Sequence, residues 1–289
     1  MAFSTIPSRT VRNHQVAWSG WTDAADIAVS HGFAMDANFY HWGPWLQKPD
    51  GSWAHGYITG SGQPMKFMRA DGTILPYYQQ LTQLVDEQMF QINDGYPAEG
   101  VSASGAITIS KQLIDSSETG DYAAIMTQFH VDYFGGDQPW IDGTLSYAQS
   151  KSIPMINSDT WLNFIETRHS ATYSNIVWNN ASKTLSFNLT TPVTTTNLNL
   201  STVLPLNLGT GTLQSVVVDG SQSSFSNQLI KGSNVAFVTT TAGNHSFIAT
   251  YSGGGIIPTD TPISAPTSTL TSTPVPTLTS TPTSVPTST

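Results

Sequence analysis

His130, Val131 and Asp132 place an imidazole and a carboxylate two residues apart at the end of an apolar run. On a strand, side chains at i and i+2 share one face, so this pair could reach a single metal ion or a single substrate. The plainer alternative is a histidine that only hydrogen-bonds within a loop. Asp36, Asn38 and Tyr40 form a second same-face row, whose plainer alternative is an ordinary polar strand face. His14 stands alone between Thr10 and the aromatic Trp18 and Trp21, and by itself reads as structural. Asp86 and Glu87 are adjacent and point in different directions on a helix. Hydrolysis of a glycoside by two carboxylates needs them ~5 to 9 Å apart, so Asp36 or Asp132 would have to supply the second. Asp36, His130 and Asp132 are thus the candidate catalytic residues, and Asn157 is a further polar candidate.

Trp42, Trp45, Trp53, Tyr57, Tyr77 and Tyr78 lie close to that acidic row. Sugar rings stack their apolar faces on aromatic rings while their hydroxyls take Asp, Asn and Gln partners. This mixture suits a carbohydrate, with Asn38, Tyr40, Trp42, Trp45 and Trp53 as candidate contacts, although core packing accounts for aromatics too. The chain has no P-loop, dinucleotide fingerprint or Gly-x-Ser-x-Gly elbow; Gly60-Ser61-Gly62 is too short to count.

Several elements must position these groups. The spacing predicts a helix over 23–31 closed by Gly32, then a strand from Phe33 to Tyr40 with Phe33, Met35, Ala37 and Phe39 on one face. Residues 43–73, rich in Gly and Trp, read as a long loop or hairpin. Tyr77 to Met89 fits a helix, while 74–84 equally fits a strand. Further on, the pattern predicts a helix over 106–117, a buried strand from Tyr122 to Asp132, a helix over 143–151, a short strand over 153–157, and a helix to Arg168 capped by Ser158 or Asp159. Helix and strand alternate, as in βα units around a parallel sheet, where chemistry gathers at strand C-termini. About 170 residues fall short of the ~250 of a complete eightfold barrel, so an open sheet or a partial barrel is expected.

Composition narrows the options. The 289 residues include no cysteine, which excludes a disulfide scaffold, thiolate zinc sites and a cysteine nucleophile. Ten Lys and Arg against 19 Asp and Glu, a formal charge of -9, argue against binding nucleic acid. No apolar stretch approaches the ~20 residues that span a bilayer. Of the 19 acidic residues, 17 precede residue 170, as do 6 of 7 histidines and 7 of 8 tryptophans, so chemistry concentrates there. Residues 171–252 carry few ionisable groups, alternate in short runs and turn at Asn179-Asn180, Asp219-Gly220 and Lys231-Gly232, which describes an antiparallel β-sandwich. Residues 253–289, rich in Thr, Ser and Pro, read as a disordered linker of the kind that separates secreted domains. The N-terminus carries no secretory signal pattern, so a fragment lacking its original start is expected.

The motifs Thr10-Val11-Arg12, His14, Trp18-Ser19 and Trp21, then Gly32, Asp36, Asn38, Tyr40 and Trp42, then Thr59 to Phe67, Asp71-Gly72 and His130-x-Asp132 together resemble secreted bacterial carbohydrate-active proteins. These are relatives of the polysaccharide deacetylase and glycosidase barrels that carry a C-terminal β-domain. The resemblance covers most of residues 9–251. It implies an extracellular or cell-surface location, a polysaccharide or cell-wall glycan as partner, and a divalent metal such as zinc with His14 and His130 among its ligands. It differs in lacking an early Thr-Phe-Asp-Asp strand, and Trp18 stands where a second histidine would follow His14. The expectation is an α/β domain over 1–170, a partial TIM-like or deacetylase-like barrel, followed by the sandwich and the linker. The function expected from the resemblance is deacetylase-like hydrolysis of a glycan, with a two-carboxylate glycoside hydrolase and a non-catalytic glycan-binding module as alternatives.

Overall fold

The computed structural model describes residues 8–13, 18–40, 62–86, 101–121, 123–191, 198–230 and 232–253. Its first sheet has the order β1-β2-β4-β3, formed by β1 (Thr10–Val11), β2 (Met35–Tyr40), β3 (Met65–Met68) and β4 (Ile74–Thr82). β1, β2 and β4 are parallel, and β3 is an antiparallel edge strand. β4 continues past Gln83 into β5 (Leu84–Val85), which pairs in parallel with β6 (Thr127–Gln128). The result is a mixed α/β arrangement. Among the described residues the strands do not close into a ring.

The helix α1 (Asp23–Ser30) has Asp23 and Asp26 in its first turn, where they favour the positive end of the helix dipole. It stops at Gly32, whose φ of 82° a residue with a Cβ adopts only under strain. Ala25 packs with Leu75 and Tyr77 of β4, while Met35 and Tyr78 pack with Leu162 and Ile165 of α4 (Ser158–Ser170). The strand reading of 74–84 therefore prevails over the helical one, because tertiary burial on both sides selects the extended form. α4 is capped by Asn157, not by Ser158 or Asp159: the Asn157 side chain accepts from Thr160 N at 2.8 Å. Asp159 instead accepts from Ser8 Oγ and Arg9 N, both at 3.1 Å, and Arg9 pairs with Glu166.

Two expected strands fail. Among the described residues of the run from Tyr122 to Asp132, only Thr127–Gln128 is a strand. The preceding residues are held by Gln83, whose side chain accepts from Met126 N at 2.7 Å and donates to Ala124 O at 3.2 Å while its own N–H donates to Met126 O at 2.9 Å. Gly62 lies so close to this segment that an added Cβ would meet Ala124 O at 2.2 Å. Among the described residues, 153–157 pair with no strand. The helices on either side start earlier than periodicity indicates. α2 is Ala103–Ser116 and α3 is Phe134–Ser150. Gly135, Gly136 and Pro139 disguise the first turns of α3, which are secured by Trp140, wholly buried with Nε1 donating to Ser110 of α2.

The rest is β-rich. β7 (Thr172–Asn179), β8 (Thr184–Thr190), β10 (Asn207–Leu208), β11 (Gly211–Val218), β12 (Ser221–Ser223) and β15 (Asn244–Tyr251) form one antiparallel sheet. β9 (Asn199–Pro205), β13 (Ser226–Ile230) and β14 (Ser233–Thr241) form another. Both sheets contribute to one core: Phe187, Leu213, Val216 and Phe247 from the first and Leu204, Ala236 and Val238 from the second. β9 alternates buried Leu200, Thr202 and Leu204 with exposed neighbours, as a one-sided strand must. This is the sandwich-like packing that alternation predicts. The linker over 253–289 lies outside the described residues except for Gly253.

Candidate functional site

Parallel pairing of β5 with β6 sets Leu84 beside Thr127 and Val85 beside Gln128. Both chains leave the pair in the same direction, so the next residues on each emerge together at the strand C-termini. Asp86 is the first residue after β5, and His130 lies two after β6. His130 is extended (φ -90°, ψ 135°) and caps a short 3-10 turn, Val131–Tyr133, that runs directly into α3. Asp86, wholly buried, lies 2.9 Å (Oδ1) and 3.1 Å (Oδ2) from His130 Nδ1, and also accepts the His130 backbone N–H. An ionised carboxylate can only accept, so Nδ1 carries a proton toward Asp86. The ring is 24% exposed, with the Tyr133 ring 5.6 Å away.

Behind this pair stands Asp137, in the first turn of α3 and 1% exposed. Its carboxyl is hydrogen-bonded to Asp86 and pushed well above the usual carboxylate range, first by burial, then by that bond and the Asp86 charge, against a smaller opposing pull from His130. Two buried carboxyls in contact hold one proton between them. Asp137, Asp86 and His130 thus form a chain in which His130 is the member that reaches the surface.

The i, i+2 pairing of His130 with Asp132 does not hold. The chain turns at Val131, leaving Asp132 exposed on the 3-10 turn; the carboxylate partner of His130 lies 44 residues back. Asp36 is not at a strand C-terminus either. It is the second residue of β2, in register with Gln79, seven residues before Asp86. At ~3.3 Å per residue that is on the order of 20 Å along the strand direction. Asp36 and His130 therefore have no reacting atom in common. Asp36 is wholly buried, and burial raises its carboxyl to about 6 despite the opposing Asn38 N–H and neighbouring Tyr77 hydroxyl. Asn38 Oδ1 accepts Asn13 N at 2.6 Å, which ties the exit of β1 to β2. His14, Trp42, Trp45, Trp53, Glu87 and the Tyr40 side chain lie outside the described residues. Asn157 is a helix cap.

Of the two metal ligands that the resemblance implies, His14 lies outside the described residues. His130 commits Nδ1 to Asp86, and among the described residues no three His, Asp or Glu side chains converge to hold an ion. Of the carboxylates named for a glycosidase pair, Glu87 lies outside the described residues, Asp132 is exposed, Asp86 is wholly buried against Asp137, and Asp36 is buried on the order of 20 Å from Asp86 along the strand direction. What the arrangement can do is general acid–base catalysis by an imidazole fixed in one tautomer. Asp86 was visible in the sequence as a carboxylate without a partner. Asp137 was not, since it sits where Gly and Pro conceal the start of a helix; the short step from His130 to Trp140 was the available signal. Comparison with protein-family models, curated proteins and solved structures found no match. Among the described residues no helix is long and apolar enough to cross a membrane.

Proposed function

We propose that this chain is an extracellular or cell-surface hydrolase of the deacetylase-like kind, acting on a polysaccharide or cell-wall glycan. The observation that carries this reading is His130, oriented by the buried Asp86 at the C-terminal ends of two parallel strands. Through Nε2, His130 takes a proton from water as that water attacks the acyl carbon. It then returns the proton to the departing sugar oxygen or nitrogen. Such acid–base assistance contributes ~10²- to 10⁴-fold. Asp86 keeps the ring in the productive tautomer and stabilises the imidazolium as it forms. A partial barrel belongs to the same reading, supported by β1, β2 and β4 running parallel in chain order.

The test is release of acetate from an acetylated glycan, such as acetylated xylan or chitin oligosaccharides, by the intact chain and by His130→Ala. Loss of release in the variant supports the reading, and release unchanged by the substitution refutes it. New reducing ends without acetate point instead to a glycoside hydrolase. Retention on a glycan resin without turnover points to a binding module.

A further inference from the structure

The inward row of β15, formed by buried Phe247, Ala249 and Tyr251, extends by the two-residue period of a strand to His245 near its start. Here the chain has just crossed between sheets. β14 belongs to the three-stranded sheet and β15 to the larger one, with only Ala242 and Gly243 between them. The His245 ring, 15% exposed, is bonded on both sides. Nδ1 lies 2.7 Å from Asp219 Oδ2, in the turn that follows β11 of the same sheet, and Nε2 lies 2.8 Å from Thr241 O, at the end of β14 in the other. The crossover is held from β8 as well, where Thr191 N donates to Gly243 O at 3.0 Å and Gly243 N donates to Thr191 Oγ1 at 2.6 Å.

Both partners of the ring only accept. Thr241 O is a carbonyl, so Nε2 carries a proton. Asp219 Oδ1 takes the N–H and the hydroxyl of Ser246 at 2.8 and 3.2 Å, and the carboxyl lies below the usual carboxylate range, first through the His245 bond and then through that N–H. An ionised carboxylate cannot donate, so Nδ1 carries a proton too, and a ring protonated at both nitrogens is a cation. The neutral ring has one N–H for two acceptors. A bond to a carboxylate is the stronger of the two, so that hydrogen stays on Nδ1 and Thr241 O loses its donor. Beside the ring stand Phe247, with centroids 6.5 Å apart, and Leu189 of β8, in register with His245; Tyr173 is in register with Leu189 one strand further on. Of the other charged residues of the sandwich, Lys183 sits at the far end of β15, where its carbonyl accepts Tyr251 N, and Lys231 lies outside the described residues.

We propose that His245 is a proton-operated clamp: as the cation it ties the β14–β15 crossover to the turn after β11, and on losing its Nε2 proton it releases the crossover. Both bonds exist only with the extra proton bound, so this end of the sandwich is held in mild acid and loosens as pH rises. The device is independent of any reaction at His130. Two NMR measurements on the intact chain, between about pH 5.5 and about pH 8.5, test it. In the His245 ring both nitrogens give protonated ¹⁵N shifts at the acid end, and with rising pH Nε2 alone moves to the unprotonated value. Over the same range the hydrogen-exchange protection factors of the Gly243 and Thr191 amides fall about tenfold, the loss of one bond, while those in the centre of the β11–β15 pairing hold. His245→Phe keeps a ring and removes both bonds, so its Gly243 and Thr191 amides are weakly protected at every pH; circular dichroism verifies that it is folded. Asp219→Asn keeps an acceptor without the charge and moves the change to lower pH. A single protonated ring nitrogen at the acid end, loss of the Nδ1 proton before that of Nε2, wild-type protection that does not change with pH, or an equal fall in His245→Phe overturns the proposal.

Discussion

An imidazole held at Nδ1 by a buried carboxylate is fixed in orientation. Asp86→Asn breaks that arrangement while barely changing shape, because an amide can turn its NH₂ toward Nδ1 and favour the other tautomer. Acetate release should fall ~10²- to 10⁴-fold with the fold intact, and ¹⁵N chemical shifts of the His130 ring should report the changed tautomer. Asp36 is a separate matter. Its carboxyl titrates near 6 in the folded chain against an ordinary 3.8. The folded state therefore binds the proton more tightly than the unfolded state does, and stability falls as pH rises from about 4 through about 6. The full effect is ~3 kcal/mol at most. Asp36→Asn removes this slope, so urea midpoints of the variant should be flatter over that range and higher than wild type at pH 7. Parallel curves for the two proteins would show that Asp36 is not the group responsible. At this scale the sequence exposed which side chains were chemically able, Asp36, Asp86 and His130 among them. It did not expose the pairing, since no local pattern links Asp86 to a histidine 44 residues later.

Elements with clear period and clear ends were legible: α1 from its acidic first turn and Gly32, β2 from its alternation, and the sandwich strands from theirs. Those stabilised by single side chains were not. The segment before β6 has apolar residues enough for a strand, yet only one main-chain bond, Gln83 N–H to Met126 O, extends the pairing there, and the Gln83 side chain takes up Met126 N and Ala124 O. α3 begins nine residues before the periodic stretch because Trp140 anchors it to α2 through Ser110. Gly143 lets these helices approach, as an added Cβ would meet Ile107 Cδ1 at 2.5 Å. Trp140→Ala should therefore cost ~3–5 kcal/mol in chemical denaturation and also reduce acetate release, since α3 carries Asp137. Asn157→Ala removes only a cap and should cost ~1 kcal/mol with little effect on release. The Arg9–Glu166 pair, with side chains 46% and 32% exposed, contributes less than either.

Across the whole molecule, the sandwich closes a core of its own, in which Phe247 stacks on Phe187 with centroids 4.8 Å apart. Phe247→Ala should lower the thermal midpoint, with a cost of ~3–5 kcal/mol, while acetate release measured well below that midpoint stays near wild type. A proportional loss of release would tie the two regions together. The uneven charge and the change from helix–strand alternation to short β runs are properties of neighbouring amino acids, and the sequence alone determined them; that Asp36 and Asn38 of β2 are buried while Phe39 is exposed was not among them. Which strands adjoin and which carboxylate meets His130 depend on contacts between residues far apart in the chain. A two-residue pairing of β5 with β6 brings Asp86 to His130, and one turn at Val131 carries Asp132 away. Local spacing holds no record of either, because burial and backbone hydrogen bonding are satisfied only once the chain has folded.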